Sequence, residues 1–227
     1  MKDVLVTDFS GMLEAEEFLT WLEDPEYLDW KDLEGTNCYC DPAAREQILS
    51  GLPVPLPRLR WIDSGDYHYM SHLLALRETE PFHLVLLDHH PDNQEAAFGA
   101  VLSCGSWVKA LEEENPLVRD VLKIGPEGCP ESIPAGWLAQ RRGARVYVSL
   151  DKDILDRPWA RTDWSQGTHT LEQVKSMLAE LLDGTVDIAA IDICGGLSPQ
   201  KGASPEDLRI NKGTNIELYK FITTHLK

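Results

Sequence analysis

At 227 residues, with 43% hydrophobic and 26% charged side chains, the chain holds enough apolar material for one sizeable core, and a single domain over residues 1–227 is expected. Its 38 acidic against 21 basic residues give a formal charge of -17, which argues against nucleic acid or an anionic membrane as the main partner and would steer in a cationic one. No apolar run approaches the about 20 residues that a membrane-spanning helix needs, and Met1-Lys2-Asp3-Val4-Leu5-Val6 does not continue into a signal-peptide core, so cytoplasmic residence is the default expectation.

Residues 4–9 read as a first strand, followed by an acidic amphipathic segment over 14–27 in which Glu14, Glu16 and Glu17 would form a solvated helix face. Asp41-Pro42 is an N-cap followed by proline at the first helical position, and Gly51 stops that helix. Pro53, Pro55 and Pro57 make a stiff connector to a strand-like run over 59–68 that ends in Gly65-Asp66-Tyr67-His68. A helix over 69–78 follows, with His72 expected at its surface. Residues 84–87, Leu-Val-Leu-Leu, suit a strand buried on both faces that runs into Asp88-His89-His90-Pro91-Asp92. Ser103-Cys104-Gly105-Ser106-Trp107 introduces a helix to Glu114, and residues 118–124 form another strand, closed by Gly125-Pro126.

The β-branched run that starts at Arg145 ends in Asp151-Lys152-Asp153, with Asp156 just beyond. The loop 157–167, rich in Trp, Arg and Asp, sits where such folds select substrate. Thr170-Leu171-Glu172-Gln173 fits a capping box, opening a helix with the apolar stripe Leu171, Val174, Met177, Leu178, Leu181 and Leu182 that stops at Gly184. Residues 186–193 are a further strand, leading into Cys194-Gly195-Gly196; Ser204-Pro205 starts a helix and residues 216–226 form a terminal amphipathic one. Cys38, Cys40, Cys104, Cys129 and Cys194 are odd in number and scattered, which predicts reduced thiols.

Strands alternating with helices predict an α/β fold, three layers with helices on both faces of a mainly parallel sheet. In extended chain Asp88, His90 and Asp92 would share one side, as would Asp151 and Asp153. Parallel strands would gather these carboxylates and Asp66 at one edge, where they would repel each other unless one or, better, two divalent cations were bound. Oxygen donors with one or two imidazoles suit Mn2+, Fe2+ or Zn2+, with manganese preferred. An aspartate after a strand is otherwise commonly the N-cap of the next helix, but two spaced combs favour metal.

Asp88-His89-His90-Pro91-Asp92 resembles the D-A-H-x-D signature of the arginase and agmatinase (ureohydrolase) superfamily, and residues 149–156, SLDKDILD, resemble its S-x-D-x-D-x-x-D signature, in the same order. The likeness runs from about Arg60 to the C-terminus. It implies an arginase/deacetylase fold with a binuclear manganese centre, one ion on His68, Asp88, Asp92 and Asp151 and the other on Asp88, His90, Asp151 and Asp153. It further implies a dimetal-bridging hydroxide, held by Asp92, that cleaves a C–N bond of a guanidino-type substrate, a small molecule or a peptidyl arginine. Homo-oligomers are common among such proteins.

Three departures stand out. Tyr67 separates Asp66 from His68, which leaves either as the ligand. No acid occupies 194–196, where arginases grip the guanidinium, so Asp192 is the nearest substitute, with Asp66 as a second substrate-binding residue. No histidine occurs from 93 to 107 as proton shuttle, which makes His169 the catalytic candidate beside Asp92. A deacetylase-like amide hydrolase, or a binding protein tied together by metal without turnover, are the competing expectations.

Overall fold

The computed structural model describes residues 3–96 and 101–226; Met1 and Lys2, at the head of the N-terminal segment, and residues 97–100, within the stretch scanned for a shuttle histidine, lie outside the described residues. Among the described residues, nine strands and seven α-helices follow one another in the order β1 (Val4–Asp8), α1 (Met12–Ala15), β2 (Glu26–Asp29), β3 (Tyr39–Cys40), α2 (Pro42–Gly51), β4 (Leu59–Trp61), α3 (Met70–Ala75), β5 (Phe82–Leu87), β6 (Leu102–Ser103), α4 (Trp107–Glu114), β7 (Val118–Ile124), α5 (Trp137–Gln140), β8 (Arg145–Asp151), α6 (Leu171–Leu181), β9 (Asp187–Cys194) and α7 (Pro205–His225). Seven of the strands form one sheet in the order β2-β1-β4-β9-β8-β5-β7, and every pairing within it is parallel.

Strand alternation divides the core between the two faces. Val85, Leu87, Val146, Val148, Leu150, Ile191 and Ile193 pack with α6 and α7, whereas Leu84, Leu86, Tyr147 and Ala190 pack with α2, α3 and α4. These are the three layers expected. Trp61 anchors the first face, between Phe18 at 5.1 Å and Tyr219 at 5.9 Å between ring centroids, its indole N–H donating to Asn215 Oδ1 at 3.2 Å. The Asp41 cap with Pro42 and the Thr170–Gln173 capping box form as their sequences predict. No helix among the described residues is long and apolar enough to cross a membrane.

Four local expectations are corrected. The segment 14–27 is not one amphipathic helix: α1 is a single turn and residues 26–29 join the sheet as its edge strand. Glu16 is buried, not solvated, accepting from Asn215 Nδ2 at 2.7 Å, and burial pushes its carboxyl up to about 7. His72 is buried under α4, 3.3 Å from Glu114, and burial holds it down at about 4. The last two helical signals merge into one 21-residue helix, α7, because Ser204 and Asp207 cap its start, no proline follows Pro205, and Gly213 is carried within the helix on the way to His225.

Candidate metal centre at the carboxyl edge

The parallel sheet sends the ends of β4, β5, β8 and β9 to one edge, and the two acidic combs leave it there, as ligands do in open α/β sheets. Neither comb is extended. β5 ends at Leu87, residues 88–90 bend, and Asp92 takes a left-handed φ of 43°. β8 ends at Asp151, and Lys152–Ile154 wind into a 3-10 turn capped by the Asp151 side chain, which accepts from the Asp153 N–H at 2.9 Å. Alternation therefore does not bring the carboxylates together; tight turns do. Asp151 is at once a turn cap and a wall of the site.

Two glycines make these turns possible. Gly125, at φ 105°, lies under Asp88, and a Cβ there would stand 2.3 Å from the Asp88 carbonyl oxygen. Gly195, at φ 85°, leaves room for Asp151, whose Oδ1 would be 2.1 Å from a Cβ at that position. The same crowding gives a physical reason why position 195 carries no acid.

His68 follows β4 through a short 3-10 turn, Gly65–Tyr67, and points into the cluster. Its Nδ1 lies 3.3 Å from Asp88 Oδ2, 3.0 Å from Asp92 Oδ2 and 3.3 Å from Asp151 Oδ2. His90 Nδ1 lies 2.7 Å from Asp153 Oδ2 and 3.7 Å from Asp88 Oδ1. Two sets of donor atoms, His68/Asp88/Asp92 and Asp88/His90/Asp153, are each gathered within 4.8 Å, with Asp88 common to both. Asp92 is braced by the Trp107 indole N–H at 2.6 Å.

Burial pushes all four carboxylates up, Asp151 to about 6 and Asp153 to about 7. Burial works against a charge on His68, yet the Asp88, Asp92 and Asp151 carboxylates around it carry it well above its ordinary value; His90, bonded to Asp153, rises to about 10. Asp88 Oδ2 is buried without a hydrogen-bond partner although His68 lies nearby, a cost that a cation would remove. A donor set of four carboxylates and two imidazoles around such an orphaned oxygen fits a pair of divalent cations.

Cys194 also approaches His68 and Asp151, but its Sγ donates to the Asp63 and Ser64 carbonyls at 3.4 Å each and burial pushes the thiol well up, so it stays a donor rather than a thiolate.

The outer contacts fix the imidazoles. His68 Nε2 faces Ser149 Oγ at 2.9 Å, and Ser149 Oγ lies 3.1 Å from Ser71 Oγ. With Nδ1 turned to the cation position, Nε2–H donates to Ser149, the usual arrangement that orients a metal-bound histidine. Ser149→Ala is expected to weaken metal affinity about 10- to 100-fold while leaving the fold intact, measured by competition with a chromogenic chelator.

Three of the sequence candidates stand elsewhere. Asp192 is fully buried on β9, taking the Tyr147 hydroxyl and lying 3.6 Å from Arg60, and does not reach the cavity at the site. His169 hydrogen-bonds the Glu131 carbonyl at 2.8 Å and does not line the cavity either. Asp66 stands behind the wall, accepting from Trp164 Nε1 at 2.9 Å and Lys201 Nζ at 2.8 Å, so His68 and not Asp66 faces the carboxylates.

The cavity over the centre measures about 270 Å³ and, besides the candidate ligands, is walled by Cys38, Tyr39, Gln94, Ser103, Cys104 and Trp164. Tyr39 and Ser103 face each other across a two-stranded antiparallel ribbon, β3 with β6, which carries the first 40 residues to the mouth. The sequence marked Ser103 only as part of a helix start and neither residue as part of a site. Trp164 lies on the loop that composition marked for substrate selection.

No family model matches this sequence. An uncharacterized protein of Thermotoga maritima is 29% identical over 201 residues, spanning 86% of this chain and 80% of that protein. A hypothetical agmatinase from Burkholderia thailandensis superposes with a TM-score of 0.63 at 17% identity, over 98% of this chain and 86% of its own. An arginase from Medicago truncatula gives 0.64 at 14% identity, over 96% and 85%. The fold is that of the arginase and agmatinase superfamily. The likeness to ureohydrolases spans the whole chain, including residues 1–57, which carried no motif. The arginase fold places strand ends, not identities, so the chemistry rests on the residues this chain puts there.

Proposed function

We propose that this chain is a metal-dependent hydrolase that cleaves a C–N bond of a guanidino-type substrate, a small molecule or a peptidyl arginine, at a centre of two divalent cations, manganese preferred. The observation that carries this reading is Asp88 shared between the His68/Asp92 and His90/Asp153 donor clusters, with Asp151 beside them. When bound, such a pair supplies Lewis acidity that brings the pKa of water toward neutrality.

The chain's own residues do the rest. His68, Asp92 and Asp151 would hold one ion and His90 and Asp153 the other, with Asp88 between them. Asp92, locked by Trp107 and facing the cavity, is placed to hold a proton at its carboxylate and pass it to the departing nitrogen. Trp164 and Tyr39, both exposed, line the mouth, where the Trp164 ring would offer a planar guanidinium a stacking surface.

The wall of the cavity outside the ligand cluster is neutral among the described residues, which also favours an uncharged amide, as in the deacetylase-like alternative. Manganese-loaded chain incubated with arginine, agmatine, arginyl peptides and N-acetyl amides separates the two: urea release supports the guanidino reading and acetate release the amide one. Failure with every guanidine offered to fully loaded protein contradicts the guanidino class. No turnover at all, with metal bound, would leave the metal a purely structural role.

A further inference from the structure

The two histidines of the centre are held from different quarters. Ser149, the partner of His68 Nε2, is buried in β8, inside the sheet. His90, with a side chain 31% exposed, turns Nδ1 to Asp153, and its Nε2 lies 2.9 Å from Ser165 Oγ. Ser165 belongs to the loop 157–167 and is exposed. Two further contacts join that loop to the same side of the centre: the Gly167 N–H donates to the Asp153 carbonyl at 2.7 Å, and the Trp164 ring stands edge-on to His90 with 6.1 Å between centroids. Among the described residues, no hydrogen bond of the loop reaches the side chains of His68, Asp88, Asp92 or Asp151. The segment before Ser165 is fixed independently. The buried Asp163 carboxylate accepts from the Ser198 N–H at 2.9 Å and the Ser198 hydroxyl at 2.8 Å and lies 3.2 Å from Lys201 Nζ, while the Trp164 N–H goes to Asp66. Ser165 is thus presented to His90 by an anchored stretch of chain.

We infer, on the dimetal reading above, that Ser165 is a positioning residue for His90, and that the loop 161–167 and the ion held by His90 and Asp153 stabilise one another. With Nδ1 given to a cation, Nε2 carries the proton and donates it to Ser165 Oγ, which fixes the ring plane and strengthens the imidazole as a donor. Without that hydroxyl the half-exposed ring is free to turn. The coupling is reciprocal: whatever the loop contributes to holding the ion, the ion contributes to holding the loop. Loading of this ion therefore firms the segment beside Trp164 at the cavity mouth, whereas the ion at His68, backed by the buried Ser149, does not depend on the loop.

Manganese titration of the chelated full chain, followed by electron paramagnetic resonance and by hydrogen exchange over residues 161–168, tests this. In wild type two ions bind, and exchange over the loop slows as the pair forms. Ser165→Ala is expected to keep the affinity of one ion and to weaken the other about 10- to 100-fold. It should then show an uncoupled single-ion spectrum and an unprotected loop at manganese concentrations that give wild type a coupled pair. Ser165→Thr keeps the hydroxyl at an exposed position and should restore both signals. Unchanged affinity for both ions in Ser165→Ala, equal loss of both, or a loss that threonine does not restore would each overturn the inference while leaving the dimetal reading in place. Wild-type protein that never binds a second ion would overturn both.

Discussion

Replacing Asp88 with asparagine is expected to release both metal ions together and to lower kcat/KM on any substrate found by at least about a thousandfold, roughly 4 kcal/mol of transition-state stabilisation. The reason is geometric. Asp88 belongs to both donor clusters, so its loss breaks each, whereas Asp153→Asn touches the His90 set alone. The same variant carries a second signature. Burial makes a charge at Asp88 costly, and its Oδ2 has no hydrogen-bond partner, so the asparagine chain stripped of metal should unfold at higher urea than stripped wild type. A protein in which Asp88 is only a turn residue would lose stability on substitution and keep whatever metal it holds.

The second large effect is on stability. At a free manganese concentration about a thousandfold above Kd, the folded chain gains about 4 kcal/mol over the chelated form, which for this length moves Tm by roughly 8–16 °C. The gain should depend on pH with a definite sign. Burial raises Asp151 to about 6 and Asp153 to about 7, and the bond to Asp153 raises His90 to about 10. The chelated folded chain then binds more protons than the unfolded one from about pH 4 upward, so its stability falls as pH rises through 6 to 8. Buried His72, held at about 4, runs the other way, but only below its ordinary value of 6.5. Metal requires deprotonated ligands and removes that loss. Urea denaturation at pH 6, 7 and 8 with manganese or chelator should show the gap widening with pH, and a gap that shrinks would contradict the ligand set.

The candidate site stands out in the sequence because its signal is a sharp one. One apolar run that ends in an acid is commonly just a strand before a helix cap, but two runs, residues 84–92 and 145–153, both end in spaced acids, and that coincidence points to a used edge. The fold followed from the same runs and the helices between them. What the pattern could not supply was conformation past the strand ends. The combs come together through a capped 3-10 turn and a left-handed Asp92, not through alternation, and glycines from distant segments make room, Gly195 for the Asp151 side chain and Gly125 for the Asp88 backbone.

Distance in sequence also hid the roles of polar residues. Asp192 sits at the end of a strand like its neighbours, yet Arg60 and Tyr147 claim it inside the layer. Glu16 reads as a solvated charge and Lys152 carried no reading of its own, but Asn215 of α7 pairs with both, at 2.7 and 2.9 Å, in the core. His169, the one histidine offered by the loop after the second comb, is turned to Glu131. Residues 1–57 had no motif because their contribution is an edge of the sheet and a two-residue ribbon that only pairing with β6 makes visible.

The most direct test of the dimetal centre is the metal content of wild-type protein purified without chelator, then reloaded with manganese and freed of excess by gel filtration. Two ions per chain, magnetically coupled in the electron paramagnetic resonance spectrum, are predicted. One ion, or none after incubation with excess manganese, would contradict a centre bridged by Asp88 and reduce the two combs to turn caps.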